Sequence, residues 1–207
     1  EHGVESARLI IDELPDGLFA NRPGESTMRF DQITLKNRIK SYPDWPEAGI
    51  TFRDLTPLFN DNRALHLCAH AFVERYLEAD ITHVAALEAR GFILGSIIAY
   101  QLNLPIILVR KGGKLPGNVA SEHFTLPHGA RSLEMQKGSC GDGDRVLIFD
   151  DLIATGGSAL AASTLIQSQG ASVVEAAAVV DLPDMGGVEI LGEAGIPTFT
   201  LLAYEGK

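Results

Sequence analysis

The stretch RVLIFDDLIATGGS occupies residues 145–158 and decides the fold of this 207-residue chain. It begins with four apolar residues, Val146 to Phe149, a pattern typical of a strand that is buried on both faces of a parallel sheet. Two carboxylates, a small loop with hydroxyl groups and the start of a helix follow. This order predicts one strand–loop–helix unit of an α/β sheet, with its polar residues beyond the carboxyl end of the strand.

The loop after this strand has the chemistry of a phosphate site. Gly156 and Gly157 lack a Cβ atom, so the backbone can turn tightly and approach a ligand closely. The free N–H groups and the positive dipole end of the next helix favour an anion. We therefore expect Ala154–Ser158 to bind one phosphate, with Thr155 and Ser158 as hydroxyl donors.

The acidic pair Asp150 and Asp151 calls for a different part of the ligand. Carboxylates repel a phosphate but suit hydroxyl groups or a cation beside it. A phosphate, a diol and a metal together describe a phosphorylated ribose. The alternative is that Asp151 caps a turn and the glycines only close the loop.

Composition limits the class of protein. An apolar content of 45% and a charged content of 21% are those of a globular domain. The formal net charge of −10 argues against nucleic acid as a partner. No apolar run is long enough for a membrane span. Cys68 and Cys140 predict no disulfide framework, so a cytoplasmic location is expected.

The N-terminal part has weaker signals. Residues 1–29 carry no motif and are expected to be an extension of unknown role, followed by one domain over residues 30–207. Apolar spacing predicts a helix from Phe30 that ends before Pro43. Three prolines and a glycine in Tyr42–Pro57 predict an irregular, functional loop.

Two further strand ends carry cations. A strand at His83–Leu87 precedes Arg90, which stands at a helix N-terminus where it opposes the dipole unless an anion binds there; a salt bridge to Glu88 is the alternative. A strand at Pro105–Val109 is followed by three more cations, Arg110, Lys111 and Lys114. In an acidic chain, this clustering predicts a second anion site.

Residues 115–132, rich in turn and polar residues, predict a mobile lid loop, with Leu133–Met135 as a short return strand. Strands at Val173–Val180 and Thr198–Leu202 complete the pattern. The predicted fold is α/β, a twisted and mainly parallel sheet flanked by helices. Ligands bind such sheets at the carboxyl ends of the strands, near a switch point in strand order.

The stretch Asp150–Ser158 resembles the phosphoribosyl-pyrophosphate (PRPP) motif of the type I phosphoribosyltransferases. From about residue 30 onward the chain is similar to one branch, the adenine phosphoribosyltransferases. The similarity rests on that stretch together with Tyr42–Pro57, Glu88–Phe92 and Val109–Gly117. The resemblance implies the type I fold, with a small N-terminal hood and a mobile lid.

The resemblance also implies the reaction, transfer of the 5-phosphoribosyl group of PRPP to adenine, which gives AMP and pyrophosphate in purine salvage. Asp150 and Asp151 would bind the ribose hydroxyls and balance positive charge at C1′, and Ala154–Ser158 would bind the 5′-phosphate. The pyrophosphate would be bound by Arg90, Arg110, Lys111 and Lys114.

Further expectations come from the same resemblance. Thr51, Phe52 and Arg53 would meet the edge of adenine, with Leu182 on the ring face. Spacing alone leaves open that Phe52 fills the core and Arg53 pairs with Asp54. Mg²⁺ would enter mainly with the substrate, with Asp150 and Asp151 as candidate protein ligands. A homodimer is expected.

The lid departs from the family pattern. Where the family usually has Leu-Glu-Tyr-Gly, with the Glu proposed to transfer a proton, this chain has Leu126-Pro127-His128-Gly129. We therefore expect His128, or Glu122 nearby, to handle the proton of the base, because an imidazole titrates near neutrality.

Two other functions remain open on the sequence. A related transferase would use guanine, hypoxanthine or xanthine in place of adenine. A PRPP- or nucleotide-sensing regulator of the same fold would not be an enzyme, and would typically carry a basic face or an added nucleic-acid-binding module.

Overall fold

The computed structural model describes residues 32–126 and 129–206, and within it the chain forms two compact units. The first contains the described residues up to Glu78 together with Gln101–Asn103, and the second contains Ala79–Tyr100 and Leu104–Gly206. The expected extension at residues 1–29 lies outside the described residues. The single domain over residues 30–207 stays a prediction.

The first unit contains a short hairpin where sequence analysis expected a helix and a loop. Residues 32–36 are helical, but Lys40–Pro43 form strand β1, which pairs antiparallel with β2, Thr51–Asp54. The predicted helix exists at residues 32–36 but ends well before Pro43, and the loop prediction was wrong at β2. Pro43 lies at the last position of β1, where its missing N–H does not interrupt the two-stranded ladder.

Two helices follow in this unit. Helix α1, Thr56–Phe59, has Pro57 in its first turn, and α2 spans Asn62–Tyr76. The side chain of Asp61 caps α2 by accepting a hydrogen bond of 2.9 Å from the N–H of Ala64.

The second unit is built on a seven-stranded sheet. Its strands are β3 His83–Leu87, β4 Ile106–Lys111, β5 Val119–Leu126, β6 Gly129–Gln136, β7 Arg145–Ile153, β8 Ser172–Asp181 and β9 Thr198–Ala203. The spatial order is β5-β6-β4-β3-β7-β8-β9. Along this spatial order, the neighbouring strands from β4 through β3, β7 and β8 to β9 pair in parallel. The two pairs that involve β6 are antiparallel. The order turns back between β3 and β7, which is the switch point where ligands bind such sheets.

Helices cover both faces of this sheet. Helix α3, Gly91–Gln101, approaches one face so closely that a Cβ on Gly95 would lie 2.8 Å from the Cβ of Ala86. Helix α4, Gly157–Gln167, packs on the opposite face, where its Leu165 shares a buried cluster with Ala85. Neighbouring strand residues point to opposite faces, so Ala85 and Ala86 explain the two layers. Helix α5, Gly187–Glu193, packs on α4 and β9.

The predicted lid differs from expectation. Its described part is an antiparallel hairpin, β5 paired with β6 from Val119 opposite Gln136 onward. Leu133 and Met135 anchor β6 in the core, because both are buried. The predicted return strand Leu133–Met135 exists as part of the longer β6, whereas the predicted loop was wrong where the hairpin forms. Mobility of the lid stays a prediction.

The α/β fold class is confirmed as a mostly parallel sheet flanked by helices. In the part of the chain that the structure describes, no helix is both long and apolar enough to cross a membrane.

Candidate active site

Strand β7 carries the acidic pair within its length. It extends to Ile153, and Asp150 stands opposite Ala178 of β8 in the parallel ladder. Sequence analysis expected the strand to end before the two acids, because carboxylates are rare in buried strands. The ladder to β8 fixes both residues on a rigid element.

The loop after β7 encloses a cavity of about 150 Å³, which we call the loop cavity. Asp150 and Ala154–Ser158 line it, along with residues of β7, α4 and β8. Gly156 has φ of +75°, and a Cβ there would lie 2.7 Å from the carbonyl oxygen of Gly187. Helix α4 begins at the next residue, so its free N–H groups face the loop. The predicted phosphate site therefore has a concave form.

Asp150 is the acid that faces this cavity. Desolvation raises its pKa well above the ordinary 3.8, and the charge of neighbouring Asp151 raises it further. The N–H of Asp151 donates a 2.8 Å hydrogen bond to Oδ1 of Asp150, and the charge of Arg90 also opposes the shift. A cation or hydroxyl donor placed beside Asp150 would favour its charged form.

Asp151 has a different environment. It does not line the loop cavity, its side chain is 8% exposed, and its Oδ2 lies 2.6 Å from Nε of Arg90. Arg90 immediately precedes α3, so this ion pair compensates for a cation at a helix N-terminus. The structure thus gives Arg90 an ion pair with Asp151, a partner that sequence analysis did not consider.

Glu88 instead pairs with Arg110. Its carboxylate accepts hydrogen bonds from Nε and Nη2 of Arg110 at 3.1 and 3.3 Å, and from the N–H of Lys111 at 3.1 Å. Desolvation raises the pKa of Glu88, but these donors lower it more, so the net pKa lies below the ordinary 4.5. Arg110 also donates from Nη1 to the carbonyl of Lys114 at 3.1 Å.

The turn after β4 is held from the hairpin side as well. The N–H of Gly113 donates a 2.9 Å hydrogen bond to Glu134 on β6, and the N–H of Gly112 donates one of 3.0 Å to the carbonyl of Ser132. Glu88 and Glu134 together fix the end of β4, where Lys111 lies, and the turn that follows it. Arg110 thus stabilises this turn through Glu88 and the carbonyl of Lys114, independently of any contact with a ligand.

A second cavity, of about 120 Å³, lies at the ends of β3 and β4; we call it the strand-end cavity. Its lining is Leu87, Glu88, Lys111, Phe124, Arg131, Ser132, Leu133, Asp150 and Ser158. Asp150 and Ser158 line both cavities, so the two meet there. The phosphate loop and one cation of the predicted second anion site therefore share a continuous surface.

Sequence analysis missed Phe124, Arg131 and Ser132. These residues were missed because residues 115–132 were predicted to be a loop. Without a strand there, no alternation assigns each residue to one face of a sheet. Extending the alternation of Leu133 and Met135 back by two residues would have placed Arg131 on the inward face.

The remaining predicted residues that the structure describes do not line either cavity. Thr51, Phe52 and Arg53 form β2 in the first unit, where Phe52 contacts Trp45 with ring centroids 4.5 Å apart and Arg53 donates to Oγ of Ser41 at 2.5 Å. In the second unit, Leu182 is buried directly after β8. His128 lies outside the described residues. Glu122 lies on β5.

Comparison with known proteins assigns first the class and then the family. Residues 56–188 match the phosphoribosyl transferase domain family, which makes this sheet and site those of a phosphoribosyltransferase. The chain is 53% identical over 177 residues to the adenine phosphoribosyltransferase of Pseudomonas paraeruginosa, a match that covers 86% of this chain and 97% of the relative. The chain belongs to the adenine phosphoribosyltransferase family.

Solved structures agree. The adenine phosphoribosyltransferase of Rhodothermus marinus is 40% identical with a TM-score of 0.80, over 85% of this chain and 99% of that one. The Saccharomyces cerevisiae enzyme, solved with adenine and an imino-altritol bisphosphate, is 34% identical with a TM-score of 0.78, over 84% and 99%. The family and fold expected from the sequence are confirmed.

Proposed function

We propose that this protein transfers the 5-phosphoribosyl group of PRPP to adenine and releases AMP and pyrophosphate, a reaction of purine salvage. The observation that carries the proposal is the junction of the two cavities at Asp150 and Ser158. A glycine loop suited to one phosphate lies on one side, and a cation at the end of β4 lies on the other. A sugar with a phosphate at each end fits this arrangement.

The chemistry follows from these positions. The bond from C1′ to the pyrophosphate oxygen breaks, and a ring nitrogen of adenine bonds to C1′ through an oxocarbenium-like transition state. Ala154–Ser158 hold the 5′-phosphate, and Asp150 balances positive charge on the ribose. Lys111 binds the departing pyrophosphate, as Arg90, Arg110 and Lys114 would by family resemblance. Asp151 supports this site through its ion pair with Arg90.

The donor set fits the Mg²⁺ expected with PRPP. Asp150 offers carboxylate oxygens, the ligands that Mg²⁺ prefers, and a cation beside it would oppose the rise in its pKa that desolvation and the charge of Asp151 cause. When bound, Mg²⁺ would stabilise negative charge on the leaving pyrophosphate. Among the described residues there is no cluster of three His, Cys, Asp or Glu that could hold a metal by itself. Entry of the metal with the substrate is therefore the proposal.

The proposed adenine contacts rest on family resemblance. The resemblance assigns them to Thr51, Phe52, Arg53 and Leu182. Proton transfer is assigned to His128, with Glu122 as the alternative.

The proposed homodimer has support in the second unit. Leu108 and Ile106 on β4 are 42% and 37% exposed, and Leu108 pairs in register with Ala86, which faces α3. Ile93 and Tyr100 are exposed apolar residues on α3 itself. We propose that a second copy of the chain covers this face. The variant Leu108→Glu should then be a monomer in analytical ultracentrifugation.

The free cysteines Cys68 and Cys140 accord with the proposed cytoplasmic location.

The test of the proposed reaction is pyrophosphate release from PRPP with adenine, guanine, hypoxanthine and xanthine, each offered alone with Mg²⁺. Release with adenine at a kcat/KM at least tenfold above that for the oxopurines supports the proposal. Turnover with an oxopurine alone would show that the acceptor is that oxopurine and not adenine. Absence of turnover with all four bases would favour a regulatory role.

A further inference from the structure

Arg131 lies on the face of the hairpin that lines the strand-end cavity. It stands on β6 opposite Phe124 of β5, and the next residues of the same parity, Leu133 and Met135, are both buried. Strand alternation therefore puts Arg131 on the same face of β6 as these two residues, although its own side chain is exposed. Its guanidinium is thus accessible to a ligand in that cavity.

The surroundings of Arg131 leave its charge available. It lines the strand-end cavity together with Lys111, Glu88 and Asp150. Glu88 is already neutralised by two hydrogen bonds from Arg110. Among the described residues, the hydrogen bond of Arg131 is one of 3.5 Å from Nη1 to the carbonyl of Ala130, and no carboxylate forms an ion pair with it. A guanidinium has five N–H donors, so most of them face the cavity or solvent.

We propose that Arg131 is a substrate-binding residue that contacts the pyrophosphate group of PRPP together with Lys111. This inference rests on the proposed function and adds a residue to it. A guanidinium presents two parallel donors that match two phosphate oxygens, which a lysine cannot do. Lys111 on β4 and Arg131 on β6 would then both bind the leaving pyrophosphate.

The position of Arg131 selects the pyrophosphate over the 5′-phosphate. Thr155, Gly156 and Gly157 line the loop cavity but not the strand-end cavity, whereas Arg131 lines the strand-end cavity but not the loop cavity. The 5′-phosphate belongs to the glycine loop. Arg131 is therefore placed to meet the other phosphorylated end of the sugar.

The two ends of the substrate can be tested separately. AMP carries the 5′-phosphate without pyrophosphate, and inorganic pyrophosphate carries only the leaving group. We would measure the Kd of each by titration calorimetry with Mg²⁺, using the intact chain and the variants Arg131→Gln and Arg131→Lys. Lys137→Gln is the matched control, because Lys137 is an exposed cation just beyond the other end of β6.

We expect Arg131→Gln to weaken pyrophosphate binding about tenfold or more, the effect of losing one charge-assisted bidentate contact. AMP affinity should stay within about twofold, Arg131→Lys should be intermediate, and Lys137→Gln should match the wild-type chain. In turnover assays, Arg131→Gln should raise the KM for PRPP and leave that for adenine unchanged.

Two outcomes would overturn the inference: an unchanged Kd for pyrophosphate in Arg131→Gln, or an equal loss of affinity for pyrophosphate and AMP. The second would mean that Arg131 acts on the whole site. Because the Kd values need no turnover, they separate this inference from the proposed reaction. A wild-type chain that binds pyrophosphate through Arg131 but transfers the 5-phosphoribosyl group to no base would refute the reaction alone.

Discussion

Oδ2 of Asp151 lies 2.6 Å from Nε of Arg90, and this ion pair joins the end of β7 to the start of α3. The carboxylate is 8% exposed and the guanidinium 37%, so the acid is the desolvated partner. Arg90 and Asp151 come from the two strand ends that flank the switch point, β3 and β7. The pair therefore fixes the relative position of the ends of β3 and β7, where the proposed substrate site lies.

Arg90→Gln should lower the free energy of unfolding by about 1–3 kcal/mol, because it leaves the buried carboxylate of Asp151 without its cation. Adding Asp151→Asn should restore part of that loss. Urea denaturation of both single variants and the double variant would give the coupling energy. Additive losses in the double variant would mean that the two residues act independently.

Gly156→Ala should abolish most of the activity. The new Cβ would lie 2.7 Å from the carbonyl of Gly187 in a backbone conformation with φ of +75°, so the phosphate loop must move. We expect roughly 1–3 kcal/mol of destabilisation and a higher KM for PRPP. Gly192→Ala is the control, because a Cβ there meets nothing within 4 Å. Equal activity of the two variants would contradict the assigned role of the loop.

Glu88→Gln should destabilise the protein at neutral pH and loosen the end of β4, where Lys111 lies. Because the folded-state pKa of Glu88 is lowered from 4.5, its contribution is present above that pH and is lost as the pH falls through the folded value. The difference in unfolding free energy between wild type and variant should therefore shrink below pH 4.5. A difference that stays constant with pH would exclude the carboxylate charge as its cause.

His128→Ala should change the pH dependence of kcat near neutrality, where an imidazole titrates. Glu122→Gln should leave the pH dependence of kcat near neutrality unchanged if His128 transfers the proton. The pH–rate profiles of both variants give the answer. An unaltered profile and rate in His128→Ala would assign proton transfer elsewhere.

Sequence patterns predicted the parallel sheet well, because its strands are continuous apolar runs followed by glycine or charge. Val146–Phe149 gave β7, although the strand continues through Asp150 and Asp151 into Ile153. That extension depends on the ladder to β8, a long-range pairing that the local sequence does not contain. The phosphate loop was predictable because glycines and hydroxyls have few other uses after such a strand.

The antiparallel parts were missed for a physical reason. Lys40–Pro43 contains no buried residue, so no alternation of burial marks it as a strand. The hairpin β5–β6 alternates clearly only near its base, at Leu133 and Met135. Ion-pair partners were also beyond the sequence, since Arg90 stood two residues from Glu88 yet pairs with Asp151 across the sheet.

The anchoring of β6 by Leu133 and Met135 bears on how this enzyme family can diversify. Those two residues fix the base of the hairpin in the core. Changes of sequence near its tip therefore carry little penalty for folding. If His128 transfers the proton as proposed, substitutions between β5 and β6 can change that chemistry while the buried scaffold stays constant. Directed evolution of base specificity or pH optimum should begin at that tip.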